Sequence, residues 1–216
     1  VKYTKQYDHI LLDWDGNIAQ TLDIWLQACR EVLQGYGHNL SDEEIGASFG
    51  AFTTLAKELN IPNPHLLMQE ADKISSQKLP EAELYPDALE VLEYLEDLSK
   101  PMALITSSSR NHISPILRRY NLEKFFNAII TGDDINHHKP HPEPINKALA
   151  ALGASKHSTV LIGDSDKDVG AAKNSQIDCI LFYPPEHMKF YDLHKLKSMS
   201  PDYIVHDFTE IMDIIK

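Results

Sequence analysis

The chain has 216 residues, 43% hydrophobic and 24% charged, a globular composition that excludes disorder and fibrous repetition and suits one core domain with a modest insertion. Lys plus Arg number 20 against 32 Asp plus Glu, and the net charge of −12 excludes a broad nucleic-acid-binding face, though not a local cation for a small phosphorylated molecule. No apolar run reaches the about 20 residues of a membrane span, and Val1 to Asp8 hold no signal-peptide stretch, so the sequence predicts a soluble cytoplasmic protein with no membrane partner. Cys29 and Cys179 lie far apart and predict buried thiols, not a disulfide or a zinc site.

Taken in chain order, the first strand is His9-Ile10-Leu11-Leu12, running into Asp13. From Asn17 to Leu84 no strand is convincing. Leu22 to Gly35 is an amphipathic helix, Asp42 opens a second, an apolar pattern follows Gly50 to Leu59, and His65 to Lys78 is a further helix. Pro86 to Ser99 repeats Leu89, Leu92, Leu95 and Leu98 at helical spacing. Further short apolar runs end at polar residues: Met102–Ile105 before Thr106, Ala128–Ile130 before Thr131, Thr159–Ile162 before Gly163-Asp164, Cys179–Phe182 and Tyr203–Val205. Between them Ser114–Tyr120, Pro144–Leu152 and Lys167–Ser175 read as helices. Alternation of this kind predicts an α/β fold, a doubly wound parallel sheet with helices on both faces. The expected division is a core of residues 1–17 and 84–216 with an all-helical insertion, 18–83, after the first strand.

In open parallel sheets ligands bind beyond the carboxyl ends of the strands. Asp13, Asp15, Thr106, Ser107, Asp133, Asp134, Asp164 and Asp168 fall there. So many like charges in one crevice call for a cation, and an oxygen-only donor set suits a hard one such as magnesium. Asp13-Trp14-Asp15-Gly16-Asn17 is the most informative segment. Asp13 can attack phosphorus as a nucleophile, Asp15 can act as acid and then base, and Gly16 permits a tight path out of the strand.

Four segments, in order, strengthen this reading: Leu11-Leu12-Asp13-Trp14-Asp15-Gly16, Ala103-Leu104-Ile105-Thr106-Ser107-Ser108, Lys139-Pro140-His141-Pro142-Glu143-Pro144 and Ile162-Gly163-Asp164-Ser165-Asp166-Lys167-Asp168. With them the chain resembles the haloacid-dehalogenase-like (HAD) hydrolases, in the branch of phosphoglycolate phosphatases and β-phosphoglucomutases, over its whole length. The helical insertion sits where that branch carries a cap. The resemblance implies Asp13 as nucleophile and metal ligand, Asp15 as acid/base lending its backbone carbonyl to magnesium, and Asp164 as a direct ligand. It further implies Thr106 and the Ser107 backbone on phosphate, Lys139 between nucleophile and phosphate, and Asp168 orienting Lys139 or a metal-bound water. A magnesium-dependent phosphatase of a small phosphorylated metabolite follows, working through an aspartyl-phosphate. The alternatives are a sugar phosphomutase and a catalytically silent phosphate- or magnesium-binding module. A dehalogenase would have no use for Asp15. Nothing in the sequence sets the physiological substrate or the oligomeric state.

Departures from the branch are Trp14, Asn17, and Ser175-Gln176 in place of Ala-Gly, where a positive φ would strain a side chain. His137, His138 and His141 read as solvated loop residues, Arg110 as part of a helix start, Asp166 and Lys167 as exposed turn residues, and Lys189–Lys197 as solvated surface. In the insertion, Gly46-Ala47-Ser48-Phe49-Gly50 is expected to face the site. It carries no Lys or Arg to hold a second phosphate, and Phe49 suits an apolar or ring-shaped leaving group or, equally, the insertion's own core.

Overall fold

A computed structural model describes residues 5–216; Val1 to Thr4, part of the N-terminal stretch read above, lie outside the described residues. Strands β1 (His9–Leu12), β2 (Met102–Ile105), β3 (Ala128–Ile130), β4 (Thr159–Gly163), β5 (Asp178–Phe182) and β6 (Tyr203–Val205) form one sheet in the order β3-β2-β1-β4-β5-β6. Every pair is parallel. Helices cover both faces, so both sides of each central strand are apolar, and the period of two sends alternate residues to different cores. Ile10, Leu12, Leu104, Ile162 and Phe182 pack with α5 (Ala88–Asp97) and α6 (Arg110–Arg119). Leu11, Ile105, Leu161 and Leu181 pack with α7 (Glu143–Leu152) and α8 (Asp166–Ser175).

Two helices differ from expectation. The buried stripe of α5 is Ala88, Val91, Leu92 and Leu95, while Leu89 and Leu98 are exposed. A strict three-residue leucine repeat drifts around a 3.6-residue helix, so its ends leave the buried face. Helix α6 begins at Arg110, four residues before the expected Ser114, and carries Pro115 in its interior. The Asp133 carboxylate accepts the Arg110 backbone N–H at 2.7 Å and supplies the cap from another loop, a long-range contact that local pattern does not contain.

Between β1 and β2 run α1 (Leu22–Gly35), α2 (Asp42–Ala47), α3 (Phe52–Glu58) and α4 (Pro64–Lys78). They share an apolar cluster built on Leu26, Leu33, Ile45, Ala56, Leu67 and Ala71. That cluster includes Phe190, from the segment expected to be solvated surface. Phe190 is buried, and its backbone lies so close to α2 that a Cβ on Gly46 would sit 2.8 Å from the Phe190 carbonyl oxygen. Lys189 pairs with Asp23 of α1. The segment after β5 is therefore a seam between the helical insertion and the sheet. Leu196 of α9 (Leu193–Ser198) is also buried, and a last short helix, α10, spans Ile211–Ile214.

His187 lies on this seam, fully buried among aromatic rings, with Nε2 2.7 Å from the Tyr85 hydroxyl. Burial lowers its pKa to about 3. A folded-state value below the unfolded one means the unfolded chain binds the extra proton, so this contribution is present above the unfolded pKa near 6.5 and is lost as pH falls toward the folded value. Acidification from pH 6.5 to 5 should remove about 2 kcal/mol through this group. His187→Gln, which does not titrate, should flatten the fall in unfolding midpoint, and equal slopes in the two proteins would refute the assignment. Gln176, just past α8, has φ of +62°, the strained backbone anticipated from its sequence. Gln176→Gly should stabilise the fold by about 0.5–1 kcal/mol in chemical denaturation, since relief of left-handed strain exceeds the entropy glycine adds to the unfolded chain.

Candidate active site

Strands β1, β2 and β4 end in step, with Leu12 paired to Leu104 on one side and Ile162 on the other. The chain winds outward in both directions from β1, so the crevice beyond β1 and β4 is the topological switch point where ligands bind in such sheets. Asp13 leaves β1 there, its backbone N–H still donating to the Ile162 carbonyl at 2.9 Å. Asp164 follows β4.

Asp13, Asp164 and Asp168 each place a carboxylate oxygen within 4.8 Å of the others, and all three are buried. Lys139 is buried among them. Its Nζ lies 2.7 Å from Asp13 Oδ1 and donates to Asp168 Oδ1 at 2.6 Å. The other oxygen of Asp168 accepts the Ser165 backbone N–H at 3.1 Å and its hydroxyl at 2.6 Å, a capping box that starts α8. Both Asp168 oxygens are thus committed, one to a helix start and one to Lys139. Gly163 makes room for this, because a Cβ there would lie 2.4 Å from Asp168 Cγ.

The electrostatics divide the three carboxylates. Burial works against ionising Asp168, but Lys139 and the Ser165 donors hold its carboxyl below the ordinary range. Burial, followed by repulsion from Asp168, pushes Asp13 up against the pull of Lys139. Burial and the charges of Asp168 and Asp13 push Asp164 well above its usual value. Asp164 Oδ2 is buried with no hydrogen-bond partner. It sits against Gly16, where φ is +71° and a Cβ would come within 2.2 Å of that oxygen. A buried, unsatisfied carboxylate oxygen in an all-oxygen cluster fits a hard divalent cation, which would replace the proton that raised pKa values otherwise invite.

Asp15 is held by four donors. Oδ1 accepts from the Thr21 hydroxyl at 2.6 Å and Trp25 Nε1 at 3.3 Å. Oδ2 accepts from the Ser108 hydroxyl at 2.7 Å and the Thr106 hydroxyl at 3.3 Å. Thr21 stands at the N-cap of α1 but makes no side-chain cap bond, its hydroxyl being committed to Asp15. Ser108, Thr21 and Trp25 had no assigned role from sequence. The Ser108 donor reaches Asp15 only once β1 and β2 are paired, and those of Thr21 and Trp25 only once the start of the insertion folds back over Asp15, although the cap position of Thr21 is a local signal.

The remaining candidates sort differently. Thr106 is buried, bonded to Asp15 and accepting the Ser108 N–H at 3.0 Å, while Ser107 is exposed in the crevice. Asp133 and Asp134 serve their own loop: Asp133 caps α6, and Asp134 accepts the Thr131 N–H and hydroxyl and pairs with Arg110 at 3.3 Å. His137, stacked on His141, bonds Glu143 at 2.9 Å, and all three are outside the aspartate cluster. Asp166 and Lys167 belong to the first turn of α8 and not to a separate turn; they pair with each other at 2.7 Å and line the crevice, Asp166 with its side chain 47% exposed, as expected, and Lys167 partly covered. Asn17 is fully buried, with neither amide atom hydrogen-bonded.

Among the described residues no helix is long and apolar enough to cross a membrane. The family model described as haloacid dehalogenase-like hydrolase matches residues 10–182. A protein named pyrophosphatase PpaX from Oceanobacillus iheyensis is 28% identical over 95% of this chain and 95% of its own. A provisionally named phosphoglycolate phosphatase from Lactobacillus plantarum superposes with a TM-score of 0.84 at 22% identity, over 97% of this chain and all of that one. CbbY from Rhodobacter sphaeroides, in complex with phosphate, superposes at 0.75 with 20% identity, over 95% and 96% of the two chains. Parallel six-stranded sheet, helical insertion after β1 and the extent of the family match together make this chain a member of the haloacid dehalogenase-like hydrolases.

Proposed function

We propose that this hydrolase is a magnesium-dependent phosphatase of small phosphorylated metabolites, with Asp13 as its nucleophile and residues 18–83 as a cap over the site. The observation that carries the reading is the buried chain Ser165–Asp168–Lys139–Asp13, which aims one oxygen of Asp13 at a fixed cation. Asp13 attacks phosphorus, the bond to the leaving oxygen breaks, and Asp15 gives that oxygen its proton. In the second step Asp15 takes a proton from water, the water oxygen attacks phosphorus, and the bond from Asp13 breaks to release inorganic phosphate. Thr106 and the Ser107 backbone bind phosphate oxygens, and Lys139 places positive charge between nucleophile and phosphate. Asp13, the Asp15 carbonyl and Asp164 would hold magnesium, which when bound supplies charge neutralisation for the transferring phosphoryl group. Asp168 acts through Lys139. The name shared by the sequence relatives, pyrophosphatase, supports phosphoryl transfer to water over a mutase.

Asp13→Asn should abolish phosphate release from p-nitrophenyl phosphate while the circular dichroism spectrum stays native, since the amide keeps the shape but is a poor nucleophile. Near-wild-type turnover would rule out the covalent route. Magnesium should raise the unfolding free energy of the wild type by roughly 2.7 kcal/mol at a hundredfold excess over its dissociation constant, read by chemical denaturation, and Asp164→Ala should remove that response. At pH 8 without metal, Asp164→Ala should be no less stable than wild type, because a carboxyl raised by burial and repulsion loses stability as pH rises through its folded pKa. An undiminished magnesium response in the variant would place the cation elsewhere.

A further inference from the structure

A cavity of about 380 Å³ opens above the aspartates, between the sheet and the helical insertion. The insertion lines it with Leu22, Trp25, Cys29, Phe49, Phe52 and Met68, an apolar roof over a charged floor. Phe49 serves both roles open to it from sequence, packing on Phe190 with ring centroids 6.0 Å apart while facing the cavity. On one side His112 lies edge-on to Trp25 at 5.4 Å, and its Nε2 is 2.9 Å from the Ser76 hydroxyl and 3.3 Å from Asp72, tying α4 to α6.

The lysines along this cavity are already committed. Lys139 lies between Asp13 and Asp168, and Lys167 is paired with Asp166. Among the described residues no arginine lines it, and Arg110, held by Ile129 and Asp134, is outside the lining. Asp72, Asp133 and Asp166 add negative charge around the rim. A second phosphate on the leaving-group side would meet this apolar roof and these carboxylates with no free lysine or arginine, His138 at the rim being, among the described residues, the one further basic side chain not already paired in the lining, and a buried charge without a partner costs several kcal/mol.

We infer that the roof receives an apolar or aromatic organic group, so that the substrate is an organic phosphate monoester and neither pyrophosphate nor a sugar bisphosphate. This rests on the phosphatase reading above and specifies its leaving group. The reaction is unchanged: the ester P–O bond breaks, and the organic alkoxide leaves as an alcohol carrying the proton from Asp15.

The test compares benzyl phosphate, 2-phosphoglycolate and pyrophosphate with magnesium. Benzyl phosphate and phosphoglycolate both release a primary alcohol, so their difference reports the roof. Pyrophosphate has the better leaving group, so intrinsic reactivity works against the expected order. Benzyl phosphate should have the highest kcat/KM, by at least tenfold over each of the others, in line with burial of one ring. Met68→Arg, which adds a cation to the roof without touching Asp13 or Asp15, should narrow or reverse the ratio to pyrophosphate by tenfold or more. A wild type that prefers pyrophosphate or phosphoglycolate overturns the inference. If no phosphate compound is turned over, the phosphatase reading fails, and calorimetric titration of the magnesium-loaded protein still decides the leaving-group assignment. Tighter binding of benzyl phosphate upholds it, and tighter or equal binding of pyrophosphate overturns it.

Discussion

The buried ion triad Asp168–Lys139–Asp13 is the constraint on which the site depends. Two carboxylates and one ammonium, with the Asp164 carboxylate beside them, all buried, are a poor bargain for stability alone, since desolvation of such groups rivals their attraction. The fold tolerates the triad because each member is also fixed by backbone structure. Asp168 closes the first turn of α8, Asp13 remains hydrogen-bonded to the sheet, and Gly163 and Gly16 leave room for the carboxylates beside them. Burial and the carboxylates act on Lys139 in opposite directions, and the carboxylates win, raising its pKa. It stays charged, and Asp164 is left with a buried oxygen that no hydrogen bond satisfies.

The acid/base candidate is governed by a different part of the molecule. Asp15 accepts from Thr106 and Ser108 on the sheet side and from Thr21 and Trp25 at the start of the insertion. Its geometry therefore reports how the insertion sits on the core. The seam residues after β5 contribute from the opposite direction, through Phe190 in the insertion's apolar cluster and the Lys189–Asp23 pair. A shift of the insertion would disturb the donors around Asp15 and the apolar roof of the cavity together, while the ion triad is anchored in the sheet. The carboxylate floor and the apolar roof thus belong to separate parts of the chain.

Much of this was legible in the residues. The six strands were visible as short apolar runs because a parallel sheet covered on both faces requires apolar side chains on both, leaving little alternation to confuse the pattern. The aspartates were visible because they follow those runs directly. The strain at Gln176 was visible as a missing glycine. Less was legible where a contact joins distant segments. The start of α6 depends on Asp133 from another loop, and the burial of Phe190 depends on the insertion. Lys189 and its neighbours look like surface when read alone, since a charged local sequence carries no sign of what will cover it.

The sequence by itself determined the sheet, the helical insertion and the identity of the carboxylates, because these rest on local periodicity and on residues placed directly after strands. Tertiary structure alone decided the division of labour among them. Only in the folded chain does Lys139 lie between Asp13 and Asp168, Asp164 keep a buried oxygen without a hydrogen bond, and Asp15 gather donors from four separate positions. It also decided the apolar roof, which draws on three helices of the insertion and the segment between two of them. Burial, repulsion and hydrogen bonding act through space over a few ångströms, and sequence separation says nothing about those distances until the chain has folded.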